Sequence, residues 1–208
     1  VAFIQKDDLI LFQGDSITDC SRQYKDPANL GIGYPYFIAA ELQRRYPELG
    51  LRFLNRGVSG NRVADLEQRW DADCLALHPS VVSIYIGIND TWRKYDSGDA
   101  TSTEQFYEGY RRLITRTLAH NDAKLVLIEP FVLPVPEDRK LWREDLDPKI
   151  AAVRELAGEF QTAYVPLDGL FAAASMKTGP AYWAADGVHP SAAGQSLIAK
   201  AWLDAVGL

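Results

Sequence analysis

The sequence predicts an α/β protein built on one parallel sheet with helices on both faces. Three observations carry that reading. Short apolar runs rich in branched residues recur five times along the 208 residues, at 9–13, 51–55, 81–86, 125–129 and 163–167. Helical periodicity follows each run, which is the alternation that right-handed crossovers between parallel strands require. No internal repeat, low-complexity tract or linker interrupts it, so residues 1–208 read as a single domain.

The elements follow in order. Four apolar residues, Leu9-Ile10-Leu11-Phe12, are closed by Gly14 and short polar residues, as in a buried strand running into a loop. Ile38, Leu42 and Tyr46 then fall at i, i+4 and i+8 and mark a helix ending near Pro47. After the second run, Val63, Leu66, Trp70, Cys74 and Leu77 trace one face of a longer helix. The third run leads into a polar loop and then Ser102-x-x-Gln105, a capping box ahead of Phe106, Tyr110, Leu113, Ile114 and Leu118. Asp147-Pro148 supplies a cap and first position for a helix that carries Ile150, Val153, Ala157 and Phe160 inward. A last helix begins near Ser191 and runs through Leu197, Ile198 and Ala201 to Gly207. Residues 130–146, with Phe131, Trp142 and three prolines, are too long for an ordinary connection and read as a functional loop or an oligomer contact.

Composition sets the class. A chain of this length buries roughly 70% of its unfolded surface and needs no staples. The net charge of −6 argues against a surface that tracks nucleic-acid phosphates, and Arg44-Arg45 and Arg111-Arg112 are too short to reverse that. Cys20 and Cys74 form no metal or redox spacing, and read as two buried free thiols rather than a disulfide, as suits a reducing compartment. No apolar run reaches the ~18 residues of a membrane span. Residues 1–8 lack the long apolar region of a secretory signal, which points to the cytoplasm, with a trimmed leader left open.

Loops leaving the carboxyl ends of parallel strands share one edge of the sheet, and that edge is where ligands bind in open α/β folds. Ser16 lies on the first such loop, Gly57-Val58-Ser59-Gly60-Asn61 on the second and Gly87-Ile88-Asn89-Asp90 on the third. Asp186 and His189 lie beyond the fifth run. A serine hydroxyl is a poor nucleophile without a base in reach, and the base needs a third group to fix its tautomer. His189 suits the base and Asp186 the third group. His78 and His120 both end helices on the opposite edge and read as helix C-terminal residues. Oxyanion donors are available in the N–H groups of Ser16 and Gly60 and the amide of Asn89. Each of these taken alone is also ordinary turn chemistry; only their convergence suggests a site.

Together, Gly14-Asp15-Ser16-Ile17, Gly60, Gly87-x-Asn89-Asp90 and Asp186-x-x-His189-Pro190 resemble the SGNH hydrolases, also called GDSL esterases, with Ile17 where the name has Leu. The resemblance implies a flavodoxin-like three-layer fold with strand order 2-1-3-4-5, no metal or other cofactor, and Ser-His-Asp catalysis through an acyl-enzyme. The absence of Gly-x-Ser-x-Gly separates the chain from ordinary α/β-hydrolases. A narrower similarity, in Gly14 to Cys20, Gly33-Tyr34, Val58 to Asn61 and Ile88 to Arg93, is to the intracellular acetylxylan esterase branch. That branch implies acetylated xylo-oligosaccharide substrates and a homo-oligomer. Its members tend to carry Trp and Arg beside the triad acid, where this chain has Ala185 and Gly187; Trp183 is a candidate compensation. Asp15, Trp92 and Arg93 are further candidates for the substrate wall, although Trp92 and Arg93 suit loop packing equally well.

The expected activity is therefore removal of acetyl groups from carbohydrates. A thioesterase or lysophospholipase is the alternative within the same chemistry, and would need a deep apolar slot. A non-catalytic nucleotide or sugar binder is the rival of a different class; Gly31-x-Gly33 lacks the third glycine and the preceding strand of a dinucleotide fingerprint.

Overall fold

The computed structural model describes residues 3–120 and 122–208. Val1, Ala2 and Asn121 lie outside the described residues. The strands are β1 (Leu9–Gly14), β2 (Arg52–Asn55), β3 (Val81–Tyr85), β4 (Lys124–Ile128) and β5 (Ala163–Val165). All pair in parallel in the order β2-β1-β3-β4-β5, the order that the resemblance implied. The helices are α1 (Ser16–Asp19), α2 (Tyr34–Arg45), α3 (Val63–Asp73), α4 (Ile88–Asp96), α5 (Thr103–His120), α6 (Arg143–Glu159), α7 (Leu167–Thr178), α8 (Pro180–Trp183) and α9 (Ala192–Ala205). None is long and apolar enough to cross a membrane among the described residues.

Alternation along the strands divides the core in two. Ile10, Phe12, Val81, Tyr85, Val126 and Ile128 face one side, where they meet Ile38 and Leu42 of α2, Phe171 of α7 and Trp202 of α9. Leu11, Val82, Ile84, Leu125 and Leu127 face the other, against Leu66 and Trp70 of α3, Leu113 and Ile114 of α5 and Leu156 of α6. Each layer is anchored by a fully buried tryptophan whose indole N–H is satisfied: Trp202 donates to Ser83 at 3.1 Å and Trp70 to Thr117 at 3.0 Å.

Local signals hold at several ends. Ser102 and Gln105 exchange the two capping-box hydrogen bonds at 2.9 and 3.1 Å, and Ser191 caps α9. Three parts of the chain differ from, or are missing in, the sequence reading. The polar loop after β3 is in fact α4, which buries only its first turn, Ile88 to Thr91, and so shows little apolar periodicity. Residues 167–183 form α7 and α8, of which only Leu167 and Phe171 are buried, too few for a helical pattern to stand out. Finally, α6 begins at Arg143, with Pro148 inside it rather than at its first position. Its start is set by side chains: Arg143 bridges Asp168 and Asp147, while Asp145 binds Thr91 and Lys94 of α4. These ties outweigh the one intrahelical bond that a proline near a helix start forgoes.

The segment 130–146 is likewise not an unstructured loop. Phe131 and Trp142 are buried in the core, and residues Glu137–Trp142 form a 3-10 helix leading into α6. Both cysteines are free thiols; Cys74 is buried, but Cys20 is only half-buried, at the left-handed C-cap of α1.

The Trp70–Thr117 pair should be measurable. In a double-mutant cycle of Trp70→Phe with Thr117→Val, followed by urea unfolding, a coupling of about 1 kcal/mol is expected for a buried neutral hydrogen bond. A coupling indistinguishable from zero would remove that bond from the account of the α3–α5 layer.

Candidate active site

Placing β1 between β2 and β3 sets the loops that leave those three strands side by side. Ser16 opens α1 directly after β1, with Asp15 as the cap: its carboxylate Oδ1 accepts the Ile17 N–H at 2.9 Å. Gly60 lies between β2 and α3 at φ 83°, and Asn89 lies in the first turn of α4. The Asn89 Nδ2 donates to the Asn61 carbonyl at 3.1 Å, which orients the amide and leaves its second hydrogen for another acceptor. Asp90, the next residue, accepts the Val63 N–H at the start of α3, at 3.2 and 3.3 Å to its two oxygens.

Asp186 and His189 arrive from the far end of the chain, between α8 and α9. Asp186 Oδ1 accepts the N–H groups of Val188 and His189 at 3.0 and 2.8 Å, which shapes the turn. Its Oδ2 accepts His189 Nδ1–H at 2.6 Å, and His189 Nε2 lies 3.0 Å from Ser16 Oγ, 173 positions away in sequence. That tautomer is assigned from the hydrogen-bond network: with the proton on Nδ1, Nε2 is the acceptor for the serine hydroxyl. Gly187 must be glycine here. It sits at φ 82°, and a Cβ would lie 2.2 Å from the Val135 carbonyl and 2.5 Å from that of Leu133. Leu133 N–H in turn donates to the Gly187 carbonyl at 2.9 Å, so the segment after β4 braces the turn.

An aromatic wall stands beside the imidazole. The Trp92 ring is 5.9 Å from the His189 ring and 5.2 Å from Trp142. The Arg139 guanidinium lies 5.2 Å from the Trp92 ring centroid and 4.1 Å from that of Trp142, and its Nε donates to the Asp186 carbonyl at 3.3 Å. Arg93 pairs with Asp96, and its Nη2 is 3.8 Å from where a Cβ on Gly60 would be. Trp183 packs edge-on to Phe171 and Tyr182 instead, and its backbone carbonyl accepts the Ser191 N–H. His78 and His120 stack on one another at 5.4 Å on the opposite edge of the sheet.

Burial divides the carboxylates. Burial pushes Asp186 up, but hydrogen bonds from the His189 ring and from the His189 and Val188 N–H groups outweigh it and hold the acid below the usual range. It is thus a charged acceptor that can stabilise an imidazolium. Asp15 is raised to about 7 by burial, against the pull of the Ile17 N–H and the nearby His189, and its Oδ2 has no hydrogen-bond partner among the described residues. Asp90 is also raised to about 7 by burial, with the Val63 N–H, Lys149 and Arg62 opposing.

The arrangement has the parts of an acyl-transfer site: a hydroxyl, a base in one tautomer, an acid behind it and neighbouring N–H donors. Sequence reasoning had not singled out Arg139, Asp19 or Asp90 for roles at this edge. Asp19 and Asp90 stand next to recognised positions, and that proximity was the available signal. Nothing local marks Arg139, which reaches Asp186 only through the folded segment after β4.

Comparison with known proteins gives the chain its family. Residues 12–197 match the GDSL-like Lipase/Acylhydrolase family model. An acetylxylan esterase of Geobacillus stearothermophilus is 37% identical over 206 residues, covering 95% of this chain and 93% of that protein. Among solved structures, a chain from Parabacteroides merdae described as a GDSL-like lipase superposes with a TM-score of 0.94 at 38% identity, covering 100% of this chain and 99% of that one. A crystal structure of an acetylxylan esterase from Geobacillus stearothermophilus gives 0.90 at 34% identity, covering 99% and 97%. Further neighbours are catalytic mutants of that esterase, in which an aspartate, a histidine and a serine are replaced by alanine.

The buried Asp15 carboxyl gives a stability dependence with a definite sign. Its proton is held more tightly folded than unfolded, so the stability it confers is full below about pH 4 and is lost as pH rises through about 7. Relative to Asp15→Asn, which cannot ionise, the protein should lose up to about 4 kcal/mol between pH 4 and pH 8. Thermal unfolding of both proteins across that range checks it, since Asp90 titrates alike in both; a difference independent of pH would dismiss the Asp15 titration.

Proposed function

The chain belongs to the GDSL-like lipase/acylhydrolase family and is a carboxylic ester hydrolase, and from that premise we propose that it removes acetyl groups from acetylated xylo-oligosaccharides by a Ser16-His189-Asp186 acyl-enzyme route. The observation that carries the reading is the unbroken hydrogen-bond chain from Ser16 Oγ through both ring nitrogens of His189 to Asp186, at 3.0 and 2.6 Å. Support for the substrate comes from the acetylxylan esterase relative, and support for the triad from its catalytic mutants at a serine, a histidine and an aspartate.

In this mechanism the Ser16 hydroxyl gives its proton to His189 Nε2 as Oγ bonds to the acetyl carbonyl carbon. The carbonyl oxygen becomes an oxyanion, held by the N–H groups of Ser16 and Gly60 and the amide of Asn89. Collapse breaks the bond to the sugar oxygen, which takes the proton back from His189, and leaves acetyl-Ser16. Water then gives its proton to His189 as its oxygen attacks the acetyl carbon, and acetate leaves with Ser16 Oγ recovering the proton. Asp186 stays ionised throughout, accepting Nδ1–H and stabilising the imidazolium in each half.

Exposure favours a short acyl group on a bulky polar alcohol. The side chains of His189 and Asp186 are 47% and 42% exposed, and the neighbouring wall is aromatic and cationic through Trp92 and Arg139, which suits sugar rings and hydroxyls. A thioesterase or lysophospholipase would have to sequester a long apolar chain. The same proposal takes residues 1–208 as one domain acting in the cytoplasm as a homo-oligomer. Its two free thiols suit a reducing compartment. Light scattering and cell fractionation test these two points.

Ser16→Ala should abolish hydrolysis of an aryl acetate without altering the thermal transition, and retention of most activity would refute the assignment. Loss of the Asn89 donor should lower kcat by about 100- to 1,000-fold for Asn89→Ala, read by steady-state kinetics. Acetyl esters should also exceed octanoyl esters in kcat/KM by at least about tenfold; the opposite preference would favour the lysophospholipase reading.

A further inference from the structure

Gly60 is useful to an oxyanion only if its N–H keeps a fixed aim relative to Ser16, yet the two residues lie on different loops. We propose that Asp19 is the positioning residue that holds that aim, an inference that rests on the esterase reading above. Asp19 ends α1, the one-turn helix that Ser16 begins, and its N–H bonds the Asp15 carbonyl at 2.8 Å. It is only 4% exposed, and a carboxylate so placed has to be hydrogen-bonded from several sides. Oδ1 accepts the Arg22 N–H at 3.2 Å. Oδ2 accepts the Ser59 N–H at 3.2 Å, the Ser59 hydroxyl at 3.0 Å and the Tyr24 phenol.

Ser59 immediately precedes Gly60, and the N–H of Gly60 belongs to the peptide plane that Ser59 begins. Fixing Ser59 at both its backbone N–H and its side chain restrains the torsions that turn that plane. The other ties grip the loop on either side. Asn55 donates to the Thr18 carbonyl at 2.6 Å and accepts the Gly57 N–H at 2.8 Å, and Arg22 Nε donates to the Gly57 carbonyl at 2.8 Å. A Cβ on Gly57 would lie 2.3 Å from the Asp19 nitrogen, so the two loops are already in contact. Beyond Gly60, Asn89 holds the Asn61 carbonyl and Asp90 holds the Val63 N–H. Val58 N–H also bonds the Gly14 carbonyl at 3.0 Å and Arg69 Nε the Asn61 side chain at 2.8 Å; Asp19 adds the grip directly beside Gly60, and does so from the nucleophile's own helix. The cluster is at the rim and not in the core: its donor Tyr24 is 57% exposed.

The test is Asp19→Asn, which keeps the volume and one acceptor but turns an amide toward the Ser59 and Tyr24 donors. With an aryl acetate, kcat should fall about 10- to 100-fold while KM changes less than about threefold, because the donor acts in the transition state more than on the bound ester. The pH profile of kcat/KM should keep its shape, since His189 and Asp186 are untouched. A folded Asp19→Asn enzyme that keeps more than a third of kcat overturns the proposal, as does one whose KM and pH profile shift together with kcat. If Asp19→Asn does not fold, the Tyr24→Phe/Ser59→Ala double variant decides. A loss of about three- to tenfold in kcat at constant KM supports the proposal, and unaltered kcat overturns it. Ser16→Ala measured alongside keeps the two readings apart: hydrolysis that survives it removes the esterase assignment, whereas hydrolysis that needs Ser16 but not Asp19 removes only this inference.

Discussion

Neighbouring strands of a sheet lie about 4.8 Å apart, and the site depends on that spacing. With β1 between β2 and β3, the loops bearing Ser16, Gly60 and Asn89 leave adjacent strands from one edge. No long excursion is needed to bring a hydroxyl, a backbone donor and an amide together. The base and its acid cannot come from those loops, because they are already committed. They come from the other end of the chain, and the docking of α9 on the layer that holds Phe12 and Trp202 determines where His189 stands.

Charge is handled differently at each position around this edge. Asp186 receives three hydrogen bonds and stays readily ionised. Asp15 and Asp90 sit deeper, receive fewer, and are raised toward neutrality. Depth and the number of donors together therefore separate a carboxylate that can answer a positive imidazole from one that favours holding its proton. The two raised acids lie directly beside Ser16 and Asn89, where local rules of burial are most often broken in enzymes.

Much of this was legible because the inner strands β1, β3 and β4 are buried on both faces and written as largely apolar runs, while the edge strands β2 and β5 leave shorter ones. The site residues were legible for a related reason. Short polar residues and glycines after an apolar run must lie at a strand's carboxyl end, and five such places in one parallel sheet share an edge. What stayed hidden was hidden by composition. Helix α4 fully buries only Ile88 to Thr91, half-buries Trp92 and Arg93 and exposes the rest, so no apolar stripe runs along it. Helix α7 is rich in alanine, and two buried residues do not make a stripe. Pro148 misled because the start of α6 is tied by Arg143 to Asp168 and by Asp145 to Thr91 and Lys94, partners distant in sequence that a local capping signal does not record. Arg139 had no local mark at all, since its contacts to Trp92, Trp142 and Asp186 arise only from tertiary packing.

Connections in α/β proteins usually tolerate changes of length, because they run over the surface and carry few obligations. The stretch leaving β4 is an exception in this molecule. Leu133 and Val135 crowd Gly187 so closely that no side chain fits, and Leu133 also bonds its carbonyl. An added or deleted residue there would be transmitted as a displacement of the acid and, through it, of the imidazole. Diversification of substrate choice in this scaffold is thereby steered away from the first part of that stretch and toward the rings and guanidinium that follow it.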